Sequence, residues 1–161
     1  INESRRELVI LAPYIQTSKK LLKTLIEADK RGVETLIIYR EEKLPQKEKE
    51  KLLAISNLNL MHHPNLHAKC YISEDFLIIG SMNMYEYSEK NNREMGILLH
   101  RIEIEENNGL GEITDFPELF EDTVKEIRDI INGSEMERPS SETEELGFEF
   151  NILKSEEEIF F

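Results

Sequence analysis

The chain has 161 residues, of which 39% are hydrophobic and 33% charged, and its formal net charge is −13. This length accommodates one domain with a sizeable core, and no apolar run approaches the roughly 20 residues that a membrane helix needs. A single cysteine, Cys70, excludes an internal disulfide and fits a reducing compartment, so we expect a cytoplasmic location.

The negative charge is concentrated in the C-terminal part of the chain. Residues 1–100 carry 15 basic and 14 acidic side chains, whereas residues 101–161 carry 5 basic and 19 acidic ones. A strongly negative protein ordinarily repels a polyanionic partner. Because the first 100 residues are nearly neutral, they remain compatible with a local basic groove.

The first 61 residues predict strands and helices in alternation. Short apolar runs are typical of buried strands in α/β sheets, and the first such run closes at Pro13. A helix with an apolar stripe is capped by Thr17 or Ser18 and ends at Gly32. Strand, helix and strand in succession imply a right-handed parallel crossover. The predicted strands cover residues 7–12, 33–39 and 58–61, and the predicted helices cover 19–31 and 46–56.

The rest of the chain predicts three more strands and one long helix. In chain order these are strands over 66–73, 76–82 and 94–100, with a polar loop over 84–93, and a helix over 115–132 after an acidic connector over 101–114. The sequence therefore predicts an α/β fold with a mixed, mostly parallel β-sheet flanked by helices. We assign residues 1–133 to the folded domain and 134–161 to an acidic linker and C-terminal tail. The tail alternates like a strand over 148–152, and it either folds over a basic surface of the domain or begins a further one.

Polar side chains two residues apart stand out in two of the predicted strands. His67 and Lys69 would share one face of a strand, and Ser81 and Asn83 would share one face of the next, because successive side chains alternate. Gly80 lets the backbone approach a ligand closely. An imidazole, an ammonium, a hydroxyl and a carboxamide beside a glycine suit a phosphoryl group better than a carboxylate or a metal.

Five polar residues at this spacing resemble the signature of the phospholipase D superfamily, often written as the HKD motif: His67, Lys69, Ser81, Asn83 and Glu94. The resemblance is densest over residues 60–100, and the order of elements extends it to about residue 132. It implies a phospholipase D-like fold, with residues 1–133 as the catalytic domain. The family pattern also has an aspartate after the lysine. Glu74 and Asp75 stand near that point here, and the sequence leaves open which of them takes its place.

The resemblance implies a two-step displacement through a phosphohistidine, with His67 as the nucleophile. Glu94 would hold one tautomer of the imidazole. Lys69 and Asn83 would hold the non-bridging oxygens of the phosphate, and Ser81 would support them with a hydrogen bond. No cofactor and no metal are expected.

The chain carries one copy of the motif, because His62, His63 and His100 are not followed by x-Lys. A second acid is needed on the far side of the phosphorus to protonate the leaving oxygen. Family members with one motif pair two chains across a two-fold axis. We therefore expect a homodimer whose interface contains the active site, with His67 of the partner subunit as the general acid.

The predicted substrate is nucleic acid, DNA more than RNA, and the predicted activity is that of a nuclease. Gly80 and the side chains of Tyr85, Lys90 and Arg93 are the candidate substrate-binding residues, since aromatic and basic groups stack bases and hold phosphates. We expect no membrane partner. Two alternatives remain open from the sequence, namely a lipid phosphodiesterase and a catalytically silent module for dimerisation or nucleic-acid binding within a larger protein.

Overall fold

The computed structural model describes residues 1–100, 116–137 and 150–154. The α-helices in these ranges are α1 Lys19–Lys30, α2 Gln46–Leu53, α3 Glu86–Asn91 and α4 Phe116–Asn132. The strands are β1 Glu7–Leu11, β2 Ile15–Gln16, β3 Glu34–Arg40, β4 Leu58–His63, β5 Cys70–Ser73, β6 Phe76–Gly80, β7 Met84–Tyr85, β8 Gly96–His100 and β9 Glu135–Met136. The predicted connector over 101–114, most of the predicted linker and residues 155–161 lie outside the described ranges.

The main sheet has seven strands in the order β8-β6-β5-β1-β3-β4-β9. Strands β1, β3 and β4 run parallel to one another, and every other neighbouring pair is antiparallel. The predicted mixed α/β sheet with flanking helices is thus confirmed, but the described sheet is not mostly parallel, because only two of its six neighbouring pairs are parallel. Antiparallel pairing dominates because β5 and β6 of the motif region form a hairpin and β8 and β9 pair antiparallel at the two edges.

Helices cover both faces of the sheet because the side chains of the central strands alternate between two cores. The core under α1 and α2 contains Leu8, Ile10, Ile37, Leu25, Ala28 and Leu52. The core under α4 contains Val9, Leu11, Ile38, Phe120, Val124 and Ile127. None of the helices in the described ranges combines the length and the apolar character that crossing a membrane requires.

Helix α1 begins and ends where its sequence predicts. Ser18, one of the two predicted caps, accepts a hydrogen bond on Oγ from the Leu21 amide at 3.1 Å. The chain leaves the helix at Gly32, whose φ of +79° is readily available to glycine. This helix fixes one wall of the region in which the motif lies.

The C-terminal residues that are described return to the sheet and the core. Strand β9 pairs with β4 at one edge of the sheet, and the side chains of Phe150, Ile152 and Leu153 are buried in the core under α4. Residues 148 and 149 of the predicted strand over 148–152 lie outside the described ranges, and its end is not a strand, because residues 151–153 form a single 3₁₀ turn. The amides of Asn151 and Ile152 donate to the buried carboxylate of Glu7. The domain boundary at residue 133 stays a prediction.

The polar loop predicted over 84–93 is mostly regular structure. Strand β7 pairs in parallel with β2 to form a two-stranded sheet, and residues 86–91 form α3. Lys90 forms an ion pair with Glu86 one turn earlier in the same helix. The segment beside the motif is therefore held by backbone pairing and a helical turn.

Glu74, in the turn between β5 and β6, secures the start of β1. Its buried carboxylate accepts hydrogen bonds from the backbone amides of Arg5 at 3.3 Å, Arg6 and Glu7 at 2.8 Å. Burial alone would raise the pKa of Glu74, but these hydrogen bonds outweigh it and hold the pKa below its usual range. Asp75 instead forms an exposed salt bridge with the Arg5 guanidinium.

Candidate active site

The motif residues gather at one end of the main sheet. Strand β1 ends at Leu11, which pairs with Cys70 at the start of β5, and β6 ends at Gly80, which pairs with Gly96 at the start of β8. This is the end at which the parallel strands have their carboxyl termini. Open α/β sheets bind their ligands at such an end.

His67 and Lys69 precede β5 instead of lying within it, so the strand predicted from residue 66 begins four residues late. The pairing of β1 with β5 ends at Leu11 and Cys70, and the next amide along β1, that of Ala12, donates to the Ile38 carbonyl of β3. Lys69 stays close to β6 through its carbonyl, which accepts a hydrogen bond from the Gly80 amide at 3.1 Å. Its Nζ donates to the His67 carbonyl at 2.8 Å.

His67, Lys69, Gly80 and Ser81 line one cleft of ≈ 600 Å³, which we call the histidine cleft. Three of the predicted catalytic side chains therefore meet around one space that also contains the predicted glycine. Burial lowers the pKa of the Lys69 ammonium, and the charge of Glu94 partly opposes that shift. Such a partly desolvated cation suits the binding of a phosphate oxygen.

Helix α4 forms the opposite wall of the histidine cleft through Asp122, Thr123 and Glu126. The sequence does not single out these residues, since polar residues on the outer face of an amphipathic helix are ordinarily solvated. The cleft therefore has a cationic side at Lys69 and an anionic side at α4.

Ser81 and Glu94 form a hydrogen-bonded unit across the ends of β6 and β8. The Ser81 hydroxyl donates to one carboxylate oxygen of Glu94 and accepts from the Met95 amide at 3.1 Å. Asn92 Nδ2 donates to the other carboxylate oxygen at 3.1 Å. The hydrogen bond from Ser81, then that from Asn92, lowers the pKa of Glu94, so its carboxylate is ionised at neutral pH.

The predicted contact between Glu94 and the imidazole is not made within one chain. In the described part of the chain, the carboxylate of Glu94 accepts from Ser81 and Asn92, and the His67 ring donates no hydrogen bond to it. The charge that acts on the pKa of Glu94 is that of Lys69, which lowers it. The role of Glu94 in holding the imidazole tautomer stays a prediction.

Asn83 and Glu94 line a second space of ≈ 430 Å³ on the α1 side of the sheet, which we call the tyrosine cavity. Gly80 lines both spaces and thus stands between them. A Cβ at Gly80 would lie 2.9 Å from the Met95 carbonyl oxygen and 3.3 Å from Gly96 Cα. Only glycine allows this close approach of β6 to β8.

The predicted substrate-binding residues divide into two pairs. Gly80 and Tyr85 line the cavities described above. Lys90 pairs with Glu86 on α3, and Arg93 is exposed, with neither side chain among those that line the two spaces. Within the described ranges, no group of three or more His, Cys, Asp or Glu is placed to hold a metal ion.

Ser81→Ala should raise the pKa of Glu94 towards that of an ordinary glutamate, because it removes the hydrogen bond that lowers this pKa most. The ¹³C NMR titration of the Glu94 carboxyl carbon measures the change, and its midpoint should move to higher pH. Asn92→Ala, which removes the second hydrogen bond, should move it in the same direction by less. An unchanged midpoint in Ser81→Ala would contradict the assignment.

The mixed α/β fold and the meeting of His67, Lys69 and Ser81 around the histidine cleft are those of a phospholipase D-like protein. Residues 1–107 match the model of the family described as "Cardiolipin synthase, PLD-like domain". The chain belongs to this family and hence to the phospholipase D superfamily, as its motif predicts. A comparison with curated proteins gives no match.

Solved structures with low sequence identity share the fold. Nuc, a phospholipase D family member from Salmonella typhimurium, is 22% identical with a TM-score of 0.64, and the match covers 86% of each chain. Phosphatidylserine synthase from Haemophilus influenzae Rd KW20 is 14% identical with a TM-score of 0.60, over 83% of this chain and 34% of the synthase. Polyphosphate kinase from Porphyromonas gingivalis is 12% identical with a TM-score of 0.52, over 87% of this chain and 22% of the kinase.

Proposed function

We propose that this protein is a phosphodiesterase that cleaves nucleic acid through a phosphohistidine at His67, in a site shared by two copies of the chain. The observation that carries the proposal is the meeting of His67, Lys69 and Ser81 around one cleft beside Gly80. A nucleophile, a cation and hydroxyl and amide donors are the groups that phosphoryl transfer needs.

In the proposed first step a nitrogen of His67 attacks the phosphorus, and the bond from phosphorus to the leaving oxygen breaks. His67 of the partner subunit gives its proton to that oxygen. In the second step the same histidine takes a proton from water, the water oxygen bonds to phosphorus, and the P–N bond breaks to release a phosphomonoester and free His67. Lys69 and Asn83 hold the non-bridging oxygens, where negative charge develops.

Exposed apolar side chains next to the site support the pairing of two copies. Strand β8 is the edge strand of the described sheet, and Ile97 and Leu98, on its two faces, are 60% and 52% exposed. Met95, immediately before the strand, is 85% exposed. An edge strand with exposed apolar side chains is typical of a protein interface. Since it adjoins Glu94, a second copy placed there would bring its motif close to the first.

The same apolar edge favours one other candidate, a lipid phosphodiesterase that docks at a membrane surface. The family name and the structural similarity to a phosphatidylserine synthase are consistent with that alternative. Nucleic acid remains the proposed substrate because two tyrosine rings and a lysine line the space beside Gly80.

A substrate panel with intermediate trapping tests the proposal. Single-stranded DNA, a chromogenic phosphodiester and phosphatidylcholine vesicles are each incubated with the protein in EDTA. The DNA and the chromogenic ester should be hydrolysed, and peptide mapping after an alkaline quench should locate the phosphate on His67. Hydrolysis of the vesicles alone would favour the lipid enzyme, and hydrolysis of none would contradict catalysis.

A further inference from the structure

The tyrosine cavity continues directly from the place where the phosphate is expected to bind. Gly80 forms part of its wall, and so do Asn83 and Glu94, which belong to the motif. Its volume of ≈ 430 Å³ lies in the range typical of small-molecule sites. One substituent of a phosphodiester bound at Gly80 would therefore have this cavity next to it.

Aromatic and sulfur-containing side chains form the walls of the tyrosine cavity. The Tyr71 hydroxyl donates a hydrogen bond to the Met82 carbonyl at 2.8 Å, which fixes the ring, and burial raises the pKa of this hydroxyl. The backbone of Tyr85 is fixed by the pairing of β7 with β2. Met82, Met84 and Met95 add to the apolar lining, to which Ile1, Leu8, Leu21 and Ile78 also contribute. Flat rings and adaptable methionines accept planar groups of differing shape.

Asn83, one of the residues that line the cavity, has an unmet hydrogen-bonding requirement. Its Oδ1 atom is buried and accepts no hydrogen bond from any described residue. A buried acceptor without a donor is unfavourable, so a rotation of this side chain towards a ligand N–H would be favoured. The amino and imino groups of nucleobases supply such a donor, whereas an acyl chain supplies none. Lys20, also on the cavity wall, provides a cation for an adjacent phosphate.

We propose that the tyrosine cavity takes one unpaired nucleobase next to the scissile phosphate, which makes single-stranded nucleic acid the preferred substrate. This inference rests on the proposed function. A base within a duplex is stacked and paired, and turning it out has an energetic cost of a few kcal/mol. The methionine lining makes the cavity tolerant of base identity.

Dithymidine with one phosphodiester, together with two analogues in which tetrahydrofuran replaces either base, tests the inference on a defined bond. The wild type should cleave one analogue roughly 10-fold more slowly than dithymidine, the loss expected for one base–aromatic stack. Tyr85→Ala should cleave dithymidine more slowly than the wild type by the same factor. It should cleave that analogue at the wild-type rate. Tyr85→Phe keeps the ring and should behave as the wild type.

Tyr87→Ala is the matched control, because Tyr87 lies two residues further on, is 60% exposed and is not among the residues that line the cavity. It should cleave all three substrates at the wild-type rate. Equal cleavage of dithymidine and both analogues by the wild type would overturn the inference. Equal losses in Tyr85→Ala on every substrate would overturn it as well.

A binding measurement separates this inference from the proposed catalysis. His67→Ala is titrated onto a fluorescent thymidine 15-mer and onto the matching duplex, and binding is followed by anisotropy. The single strand should bind more tightly, and adding Tyr85→Ala should weaken its binding roughly 10-fold. If nothing is hydrolysed but this pattern appears, the proposed function fails and the base site stands. Equal binding of single strand and duplex, or an effect of Tyr85→Ala on vesicle binding alone, would overturn the base site.

Discussion

His67→Ala is expected to lower kcat for phosphodiester hydrolysis by roughly 10⁴-fold or more, the scale seen when the nucleophile of a covalent mechanism is removed. The loss is expected to be chemical and not structural, because the His67 side chain is exposed and its ring forms no hydrogen bond with another described residue. Substrate affinity should change little, since Lys69 and Ser81 remain in the histidine cleft. Steady-state kinetics with the chromogenic ester measure both parameters.

His100→Ala is the control for this substitution. His100 packs edge-on against the Phe76 ring at the opposite end of β6 and β8 from Gly80, so its loss should leave kcat unchanged. Thermal unfolding should show both variants folded. A His67→Ala protein that retains a tenth of the wild-type rate would exclude His67 as the nucleophile.

Sharing of the site predicts a further result of the same substitution. When equal amounts of wild type and His67→Ala exchange subunits, each mixed dimer has one nucleophile without its general acid. About a quarter of the dimers are then wild type, and these contain about half of the wild-type chains. The rate per wild-type chain should therefore fall by about half. An unchanged rate per wild-type chain after exchange would show that each chain acts alone.

Glu74→Ala is expected to reduce the free energy of unfolding by about 3 kcal/mol, the cost of leaving buried amides without a charged acceptor. The carboxylate serves the amides of three successive residues at the start of β1, and β1 is the central strand of the sheet. Urea unfolding followed by circular dichroism measures the loss. Asp75→Ala is the matched neighbour, and removal of its exposed salt bridge should cost less than about 1 kcal/mol.

The stabilisation from Glu74 should depend on pH in a definite direction. Because folding lowers the pKa of Glu74, its contribution is complete above the unfolded-state pKa of about 4.3 and is lost as the pH falls through the folded-state value. Glu74→Gln should therefore be less stable than the wild type at pH 7, and the difference should shrink in acid. A difference that stays constant with pH would show that the charge of Glu74 contributes nothing.

The sequence predicted the motif residues better than their arrangement. His67, Lys69 and Ser81 do meet, but the predicted alternation placed Asn83 beside them, whereas it lines the tyrosine cavity. Alternation holds only while a strand continues, and β6 ends at Gly80. Where a strand ends depends on its partner strands, which a single sequence does not display.

Short elements and distant partners were beyond prediction for a related reason. Strands β2 and β7 have two residues each, too few for a periodic pattern. Helix α3 carries a local helix signal in its sequence, the Glu86 and Lys90 pair four residues apart. The acidic wall at Asp122 and Glu126 has no such signal in the sequence, because nothing in α4 itself indicates which residues its polar face lies opposite.

The buried carboxylate of Glu7 links the first strand to the last described residues. It accepts hydrogen bonds from the amide and the side chain of Asn151 and from the amide of Ile152, at 2.8 to 2.9 Å. During synthesis Glu7 is added to the chain long before the residues that supply these donors, Asn151 and Ile152. The Glu7 carboxylate is hydrated in the unfolded chain and obtains its buried donors only once residue 152 has emerged, so we expect the packing around β1 to be completed at that late stage of synthesis.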